Sequence, residues 1–380
     1  MAIVVTGGCG FIGSNFVRNW LLNSNELIVN VDAATYAADE VNVQFTHDNY
    51  RFIKADIGEA DQLKHLFEHI KPRAIIHFAA ETHVDNSISQ PNNFIHTNVV
   101  GTHLLLQASL EYWRRLDEQT RNSFKFINIS TDEVYGSLAK LAEPFTERNI
   151  LQPSNPYSAS KAAAEHIARS FWITYGFPVI TTRCSNNFGP FQHQEKLIPR
   201  TIHALVNKKR IGLYGDGTQI RDWLYVEDHI DAISTILNHG HVGEIYNIGG
   251  GREISNKRLV KLICSYFDKI NGKKQGWHFD NQVEFIEDRP GHDFRYALNS
   301  DKMLTEFRWR AKHDFQHSLN ATIDWHIKKS ECVNFGGSNC AQAANNGCKF
   351  DQFDTSILGQ FAKNSAAVGS QLKAGHSFTT

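Results

Sequence analysis

The run STDEVYG, Ser130 to Gly136, sets Thr131 beside two adjacent carboxylates, Asp132 and Glu133, directly after the apolar run KFINI. Two crowded carboxylates disfavour a second charge and share one proton readily, which suits one to give a proton while the other takes one. Neighbours on a strand face opposite ways, so they act together only where the strand ends and the backbone turns. A polar loop capping the next segment is the plain alternative. Further on, NPYSASKAAAE spaces Tyr157 and Lys161 four apart, hence on one face of a helix. An ammonium beside a phenol favours phenolate and draws its pKa down from about 10. Tyr157 would then be a base for a hydroxyl proton, with Ser130 or Thr131 bonding the same oxygen. Core packing is the plain alternative for Tyr157.

These groups would need a partner in redox or proton chemistry, and the N-terminus offers one. TGGCGFIG holds Gly8-x-Gly10-x-x-Gly13 and the wider Gly7-x-x-Gly10-x-x-Gly13, between an apolar strand (AIVV) and an amphipathic segment, with Asp32 ending the next strand. Glycines there let the backbone approach a pyrophosphate seated on the helix N-terminus, and the acidic residue takes a ribose diol. No arginine follows Asp32 to meet a 2′-phosphate, so NAD is favoured over NADP. Asp56, after the third strand, stands where a carboxylate would contact adenine.

The elements that must position these residues alternate. AIVV, ELIVNVD, YRFIKAD, RAIIHFAA, KFINIST and PVITTRC are strands, apolar almost throughout, as strands covered on both faces should be. Phe11–Asn23, Glu59–Ile70, Gly101–Leu116 and Tyr157–Tyr175 show helical spacing between them. The expected fold is α/β, a Rossmann-type doubly wound parallel sheet with a smaller C-terminal substrate-binding α/β domain. Residues 1–182 form the dinucleotide-binding domain, with 223–249 returning to it. Residues 183–222 and 250–328 form the smaller domain, with helices at Ser255–Phe267 and Asp314–Lys328. Residues 329–380, rich in Gly and Asn, form a loose tail. Cys332, Cys340 and Cys348 recur there without a C-x-x-C pair, so no metal site is expected.

The 39 Lys and Arg balance 40 Asp and Glu, which leaves no field for nucleic acid or a membrane surface. No leader segment precedes the first strand, and no apolar run approaches the roughly 20 residues of a membrane span. The six scattered cysteines do not form a disulfide framework, and Cys9 and Cys184 sit as reduced thiols would. A soluble cytoplasmic protein is expected.

With these motifs, from TGGCGFIGSNFVR through HFAAETHVD, STDEVYG, NPYSASKAAAE, RCSNNFGPFQ, EKLIPR, GDGTQIRDWLYVEDH and YNIGG to DRPGHDFRYA, the chain resembles the extended short-chain dehydrogenase/reductase family from Ala2 to about Trp325. Within it the likeness is to enzymes that remove water from a nucleotide-activated hexose, with dTDP-glucose the favoured substrate and UDP-glucose next. The related epimerases lack the acidic pair, and mannose-type dehydratases carry only the glutamate. The resemblance implies a catalytic set of Thr131, Asp132, Glu133, Tyr157 and Lys161. Tyr157 would take the 4-hydroxyl proton, Glu133 the C5 proton, and Asp132 would protonate the departing 6-hydroxyl.

The resemblance also places Phe11, Ile12, Thr35, Ile57, Ala79, Ala80, Thr97 and Asn187 at cofactor-contacting positions, beside Gly7, Gly10, Gly13, Asp32 and Asp56. Substrate-contacting positions are Thr82, Asn186, Lys196, Tyr214, Arg221, Asn256, Arg289 and His292. Arg221 and Arg289 suit a diphosphate, and Tyr214 would stack on the base. A homodimer formed through the Gly101–Leu116 and Tyr157–Tyr175 helices is implied as well. The chain departs from the family pattern at His193 and Gln194, where an aromatic and a proline are usual, at Asn86, and in DAATYA after Asp32. A 4-epimerase and a silent dinucleotide-binding protein are the competing readings. The acidic pair opposes the first, and the intact Tyr157, Lys161 and carboxylates oppose the second.

Overall fold

The computed structural model describes residues 2–36, 38, 42, 47–271 and 278–334. Its strands are β1 (Ala2–Thr6), β2 (Leu27–Asp32), β3 (Tyr50–Lys54), β4 (Pro72–His77), β5 (Lys125–Thr131) and β6 (Val179–Cys184). They continue as β7 (Asn186–Phe188), β8 (Ile211–Tyr214), β9 (Ile220–Tyr225), β10 (Ile245–Ile248), β11 (Glu253–Ser255) and β12 (Val283–Ile286). Seven form one sheet in the order β10-β6-β5-β4-β1-β2-β3, and every pairing in it is parallel. The order runs outward in both directions from β1 and β4, so a crevice opens at the carboxyl ends of those two strands, where such sheets bind ligands.

Helices cover both faces. Phe11–Asn23 and Val226–His239 close one core around Ile3, Val5, Phe16, Ile127 and Ile233. Ala60–Ile70, Thr102–Arg114 and Pro156–Tyr175 close the other around Val4, Leu63, Leu105, Phe126 and Phe171. Alternate residues of one strand therefore feed opposite cores, which is why these strands read as unbroken apolar runs. Each fully buried Ile or Val adds about 1.5–3 kcal/mol.

A separate core of Phe188, Ile202, Leu213, Trp223, Leu259 and Ile323 lies under two small sheets, β11-β9-β7 and β12-β8. The chain reaches it from β6 and leaves again through Val226–His239, before β10 pairs with β6. Trp223–Tyr225 belongs to the small mixed sheet, so the return to the main sheet begins later than position 223. The last helix spans Phe315–Asn334 and so runs beyond Lys328, where the loose tail was expected to begin. The rest of that tail, with Cys340 and Cys348, lies outside the described residues. Among the described residues no helix is long and apolar enough to cross a membrane, and no His, Cys, Asp and Glu cluster could hold a metal.

Candidate active site

The glycine turn after β1 is shaped by what each hydrogen replaces. A Cβ on Gly7 (φ +73°) would stand 2.5 Å from the Ala79 nitrogen, and one on Gly13 would stand 2.3 Å from the Gly7 carbonyl oxygen. On Gly10 it would meet, among the described residues, only that carbonyl, at 3.3 Å, and these residues leave the space over Gly10 open. Helix Phe11–Asn23 begins there with no side-chain cap, leaving its first N–H groups for an anion. Asp32 is held beneath by the Cys9 and Ala34 N–H groups, at 2.8 and 2.9 Å on separate oxygens.

Asp56 is exposed and accepts the Gly58 N–H at 2.7 Å, while Thr35 is exposed beyond β2. Ile57 is buried where a Cβ on Gly101 would strike it. Ala79 and Ala80 follow β4, facing Gly7, and Thr97 lies in the widened π-turn Ile95–Gly101. Phe11 and Ile12 open the first helix. Asn187 spends its amide inside the protein, donating to the Ser185 carbonyl and pairing with His229 Nδ1, each at 2.9 Å. A dinucleotide fits the open Gly10 and the uncapped helix.

β5 ends at Thr131, and residues Asp132–Tyr135 form one 3₁₀ turn. Thr131 caps it, its Oγ1 accepting the Glu133 N–H at 3.3 Å. Gly136 closes it at φ +81°, where a Cβ would stand 2.2 Å from the Gln152 carbonyl oxygen. Across the turn the Glu133 charge acts on Asp132, and the one guanidinium of Arg221 acts on both carboxylates.

Their surroundings differ. Asp132 is 1% exposed, and burial, then the charges of Glu133 and Asp222, hold its carboxyl well above the usual range, against Arg221. Burial also raises Glu133, but the cations Arg289, Arg221 and Lys196 all oppose that rise. Both carboxyls are thus raised, Asp132 the further of the two, so a proton shared by the pair sits by preference on Asp132. Asp132 Oδ2 and Glu133 Oε2 are buried without a hydrogen-bond partner among the described residues.

Helix Pro156–Tyr175 starts at a capping box between Asn155 and Ser158, with Pro156 in its first turn. This start fixes Tyr157 beside Thr131, Asp132 and Glu133. The expected lowering of the phenol by Lys161 is not what the geometry gives. Lys161 Nζ donates to the Ile129 carbonyl at 2.7 Å, and burial lowers its pKa to about 8. Burial, Glu133, Cys184 and Asp132 instead hold the Tyr157 phenol well above its ordinary value. With the lysine bonded to the Ile129 carbonyl, burial dominates and the negative neighbours add to it.

On the substrate side, Lys196 Nζ donates to the Thr82 carbonyl at 2.8 Å. Arg221, 6% exposed, donates to the carbonyls of Ile220, Phe294 and Asp293, so only part of its fork is free, and its charge faces the carboxylate pair. Arg289 meets Asp85 at 3.3 Å, and its Nε is buried without a partner among the described residues, a donor suited to a diphosphate. Among the same residues Asn186 Oδ1 has no partner either, and Asn256 opens helix Asn256–Ile270. His292 Nδ1 is 2.6 Å from Asp288 Oδ1.

Tyr214 donates to Asp85 at 2.8 Å, and Arg200 already stands 5.6 Å over its ring. A base stacking on Tyr214 would share the ring with that guanidinium. Reading the sequence by itself missed Asp85 and Arg200, though HVDNS and EKLIPR contain them; Asp85 ties Tyr214 to Arg289 and Arg200 covers the Tyr214 ring, long-range contacts that spacing does not reveal.

The glycine turn, the seven-stranded parallel sheet and the tyrosine–lysine helix define an extended short-chain dehydrogenase/reductase. The profile of the GDP-mannose 4,6 dehydratase family matches residues 4–322, and the chain belongs to that family. It is 44% identical over 335 residues to a dTDP-glucose 4,6-dehydratase of Haemophilus influenzae, covering 87% of this chain and 99% of that protein. The dTDP-glucose 4,6-dehydratase DesIV of Streptomyces venezuelae, solved with NAD bound, superposes at a TM-score of 0.80, with 36% identity over 87% of this chain and 98% of that one. A UDP-glucose 4-epimerase of Thermotoga maritima superposes at 0.75 with 27% identity, over 87% of this chain and 100% of its own. The fold is thus shared by dehydratases and epimerases, and only the site can separate them.

Proposed function

We propose that this chain converts dTDP-glucose to dTDP-4-keto-6-deoxyglucose and water, in cytoplasmic deoxysugar nucleotide synthesis. The observation that carries the reading is the buried Asp132–Glu133 turn beside Tyr157, whose two carboxylates stand in unequal electrostatic surroundings, with more cations around Glu133. NAD, when bound, supplies the hydride acceptor at C4 and the donor at C6. Gly10, Asp32 and the start of helix Phe11–Asn23 would hold it. Tyr157 receives the 4-hydroxyl proton as phenolate, a state that burial and the neighbouring carboxylates oppose and that the positive charge of a bound oxidised nicotinamide would favour, with Thr131 on the same oxygen. The resulting 4-ketone acidifies C5–H. Glu133 takes that proton, and Asp132 gives its own to the leaving 6-hydroxyl, so an acid and a base act at adjoining carbons. An epimerase needs neither group, which is why the pair favours dehydration.

Turnover in deuterated water should give product labelled at C5; unlabelled product would sink the role of Glu133. Asp132→Asn should slow water loss far more than C4 oxidation. The thymine base rests on likeness to dTDP-glucose enzymes, because one methyl group is worth only about 1–3 kcal/mol in an apolar pocket. Competition between dTDP- and UDP-glucose tests it. The chain acts as a homodimer, supported by the exposed Ile95, Val100, Ile173 and Tyr175 on and beside the paired helices Thr102–Arg114 and Pro156–Tyr175. A monomer in sedimentation at working concentration would refute this.

A further inference from the structure

Glu165 follows Tyr157 and Lys161 at steps of four, so the three share one face of helix Pro156–Tyr175. It is 3% exposed, and both its oxygens accept Arg183 Nε, at 3.2 and 3.0 Å, with Nη2 adding a bond of 2.6 Å. Arg183 is equally buried on β6, in register with Ser130 of β5. Its Nη1 donates to the Tyr135 hydroxyl at 2.6 Å, and its guanidinium lies 4.6 Å from the centre of that ring. Phe145 stacks on Tyr135 at 4.7 Å. The Tyr135 hydroxyl donates in turn to Asn247 Oδ1 on β10, at 2.9 Å, and Asn247 Nδ2 donates to the Phe145 carbonyl. Each donor has its acceptor: Arg183 donates to Glu165 on one side and to Tyr135 on the other, and Tyr135 donates onward to Asn247.

Tyr135 is the last residue of the turn that carries Asp132 and Glu133. A buried ion pair gains little stability over apolar groups of the same shape, because desolvation offsets the attraction. The placement of this one is more telling than its strength. One end grips the helix of Tyr157 and Lys161, and the other grips the acidic turn.

We propose that Glu165, Arg183 and Tyr135 are positioning residues that hold the oxidising pair Tyr157–Lys161 in register with the eliminating pair Asp132–Glu133. A sugar oxidised at C4 then presents C5 and C6 to the carboxylates without shifting in the site. None of the three touches the reacting atoms. The inference rests on the roles assigned under the proposed function.

Tyr135→Phe tests it, since the variant loses one hydroxyl and keeps both ring contacts. In a single turnover with dTDP-glucose, the absorbance of reduced nicotinamide reports C4 oxidation, and deuterium at C5 with water loss reports elimination. C4 oxidation should stay within about twofold of the parent while elimination slows about tenfold, so reduced cofactor accumulates, as misplacement without loss of a reacting group predicts. KM should hold. Equal slowing of both steps, or no slowing, would overturn the proposal.

A second variant, Glu165→Leu with Arg183→Met, replaces the pair by apolar groups of similar reach and should show the same split. Full activity in that variant would also overturn it. Asp132→Asn measured alongside separates the two layers. If it spares oxidation and Tyr135→Phe does not, only the positioning role fails. If Asp132→Asn itself slows both steps alike, the site reading fails and the positioning role falls with it.

Discussion

The glycine turn after β1 and the acidic turn after β5 stand at the same edge of one sheet and solve opposite problems. The first meets an anion with backbone alone: an open space over Gly10, an uncapped helix start, and Asp32 locked by two N–H groups. The second must keep two carboxylates out of water, and does so with side chains brought from Lys196, Arg221 and Arg289. Backbone recognition is local and needs one stretch of sequence. Tuning a buried acid and a base is not local, because the countercharges must come from other elements.

The comparison can be broken by disabling each turn in kind. Glu133→Gln keeps size and removes the base, so C5 deuterium exchange should fall by about 10²–10⁴-fold while NAD stays bound. Loss of NAD in that variant, seen by release of bound nucleotide, would show that the two turns are not independent. Gly13→Ala forces a methyl against the Gly7 carbonyl and should cost about 1–3 kcal/mol of stability and weaken NAD retention, checked by thermal melts with and without added NAD.

Arg289→Gln removes the foremost cation that opposes the burial-driven rise of Glu133. The base must be charged to act, so the acid limb of kcat should move to higher pH; an unmoved limb would remove Arg289 from the tuning. The smallest effect is expected from Asn155→Ala, which removes the cap of the Tyr157 helix and should cost about 1 kcal/mol in a denaturant titration, with little change in kcat.

Local signals carried much of the molecule. The six strands from AIVV to PVITTRC appear where apolar runs put them, since burial on both faces leaves little else for such runs to do. The helix Phe11–Asn23 was equally readable beside its glycines, and Tyr157–Tyr175 from its spacing, though the helix opens one residue earlier, at Pro156 behind the Asn155 cap. The site's electrostatics were not. Lys161 is spent on the Ile129 carbonyl rather than on the phenol, and only the packing of helix on strand could reveal that. The tie of Asp85 to Tyr214 and Arg289 spans the whole crevice and leaves no spacing signal. The small sheets β11-β9-β7 and β12-β8 are too short for periodicity to register.

The closeness of Asp132 and Glu133 has a consequence in time. Part of what holds the proton on Asp132 is the negative charge of its neighbour. Under the proposed roles, Glu133 on taking the C5 proton would lose that charge, and Asp132 would become a stronger acid as the 6-hydroxyl leaves. Filling the base would thus arm the acid, which favours C5 deprotonation ahead of protonation of the leaving group.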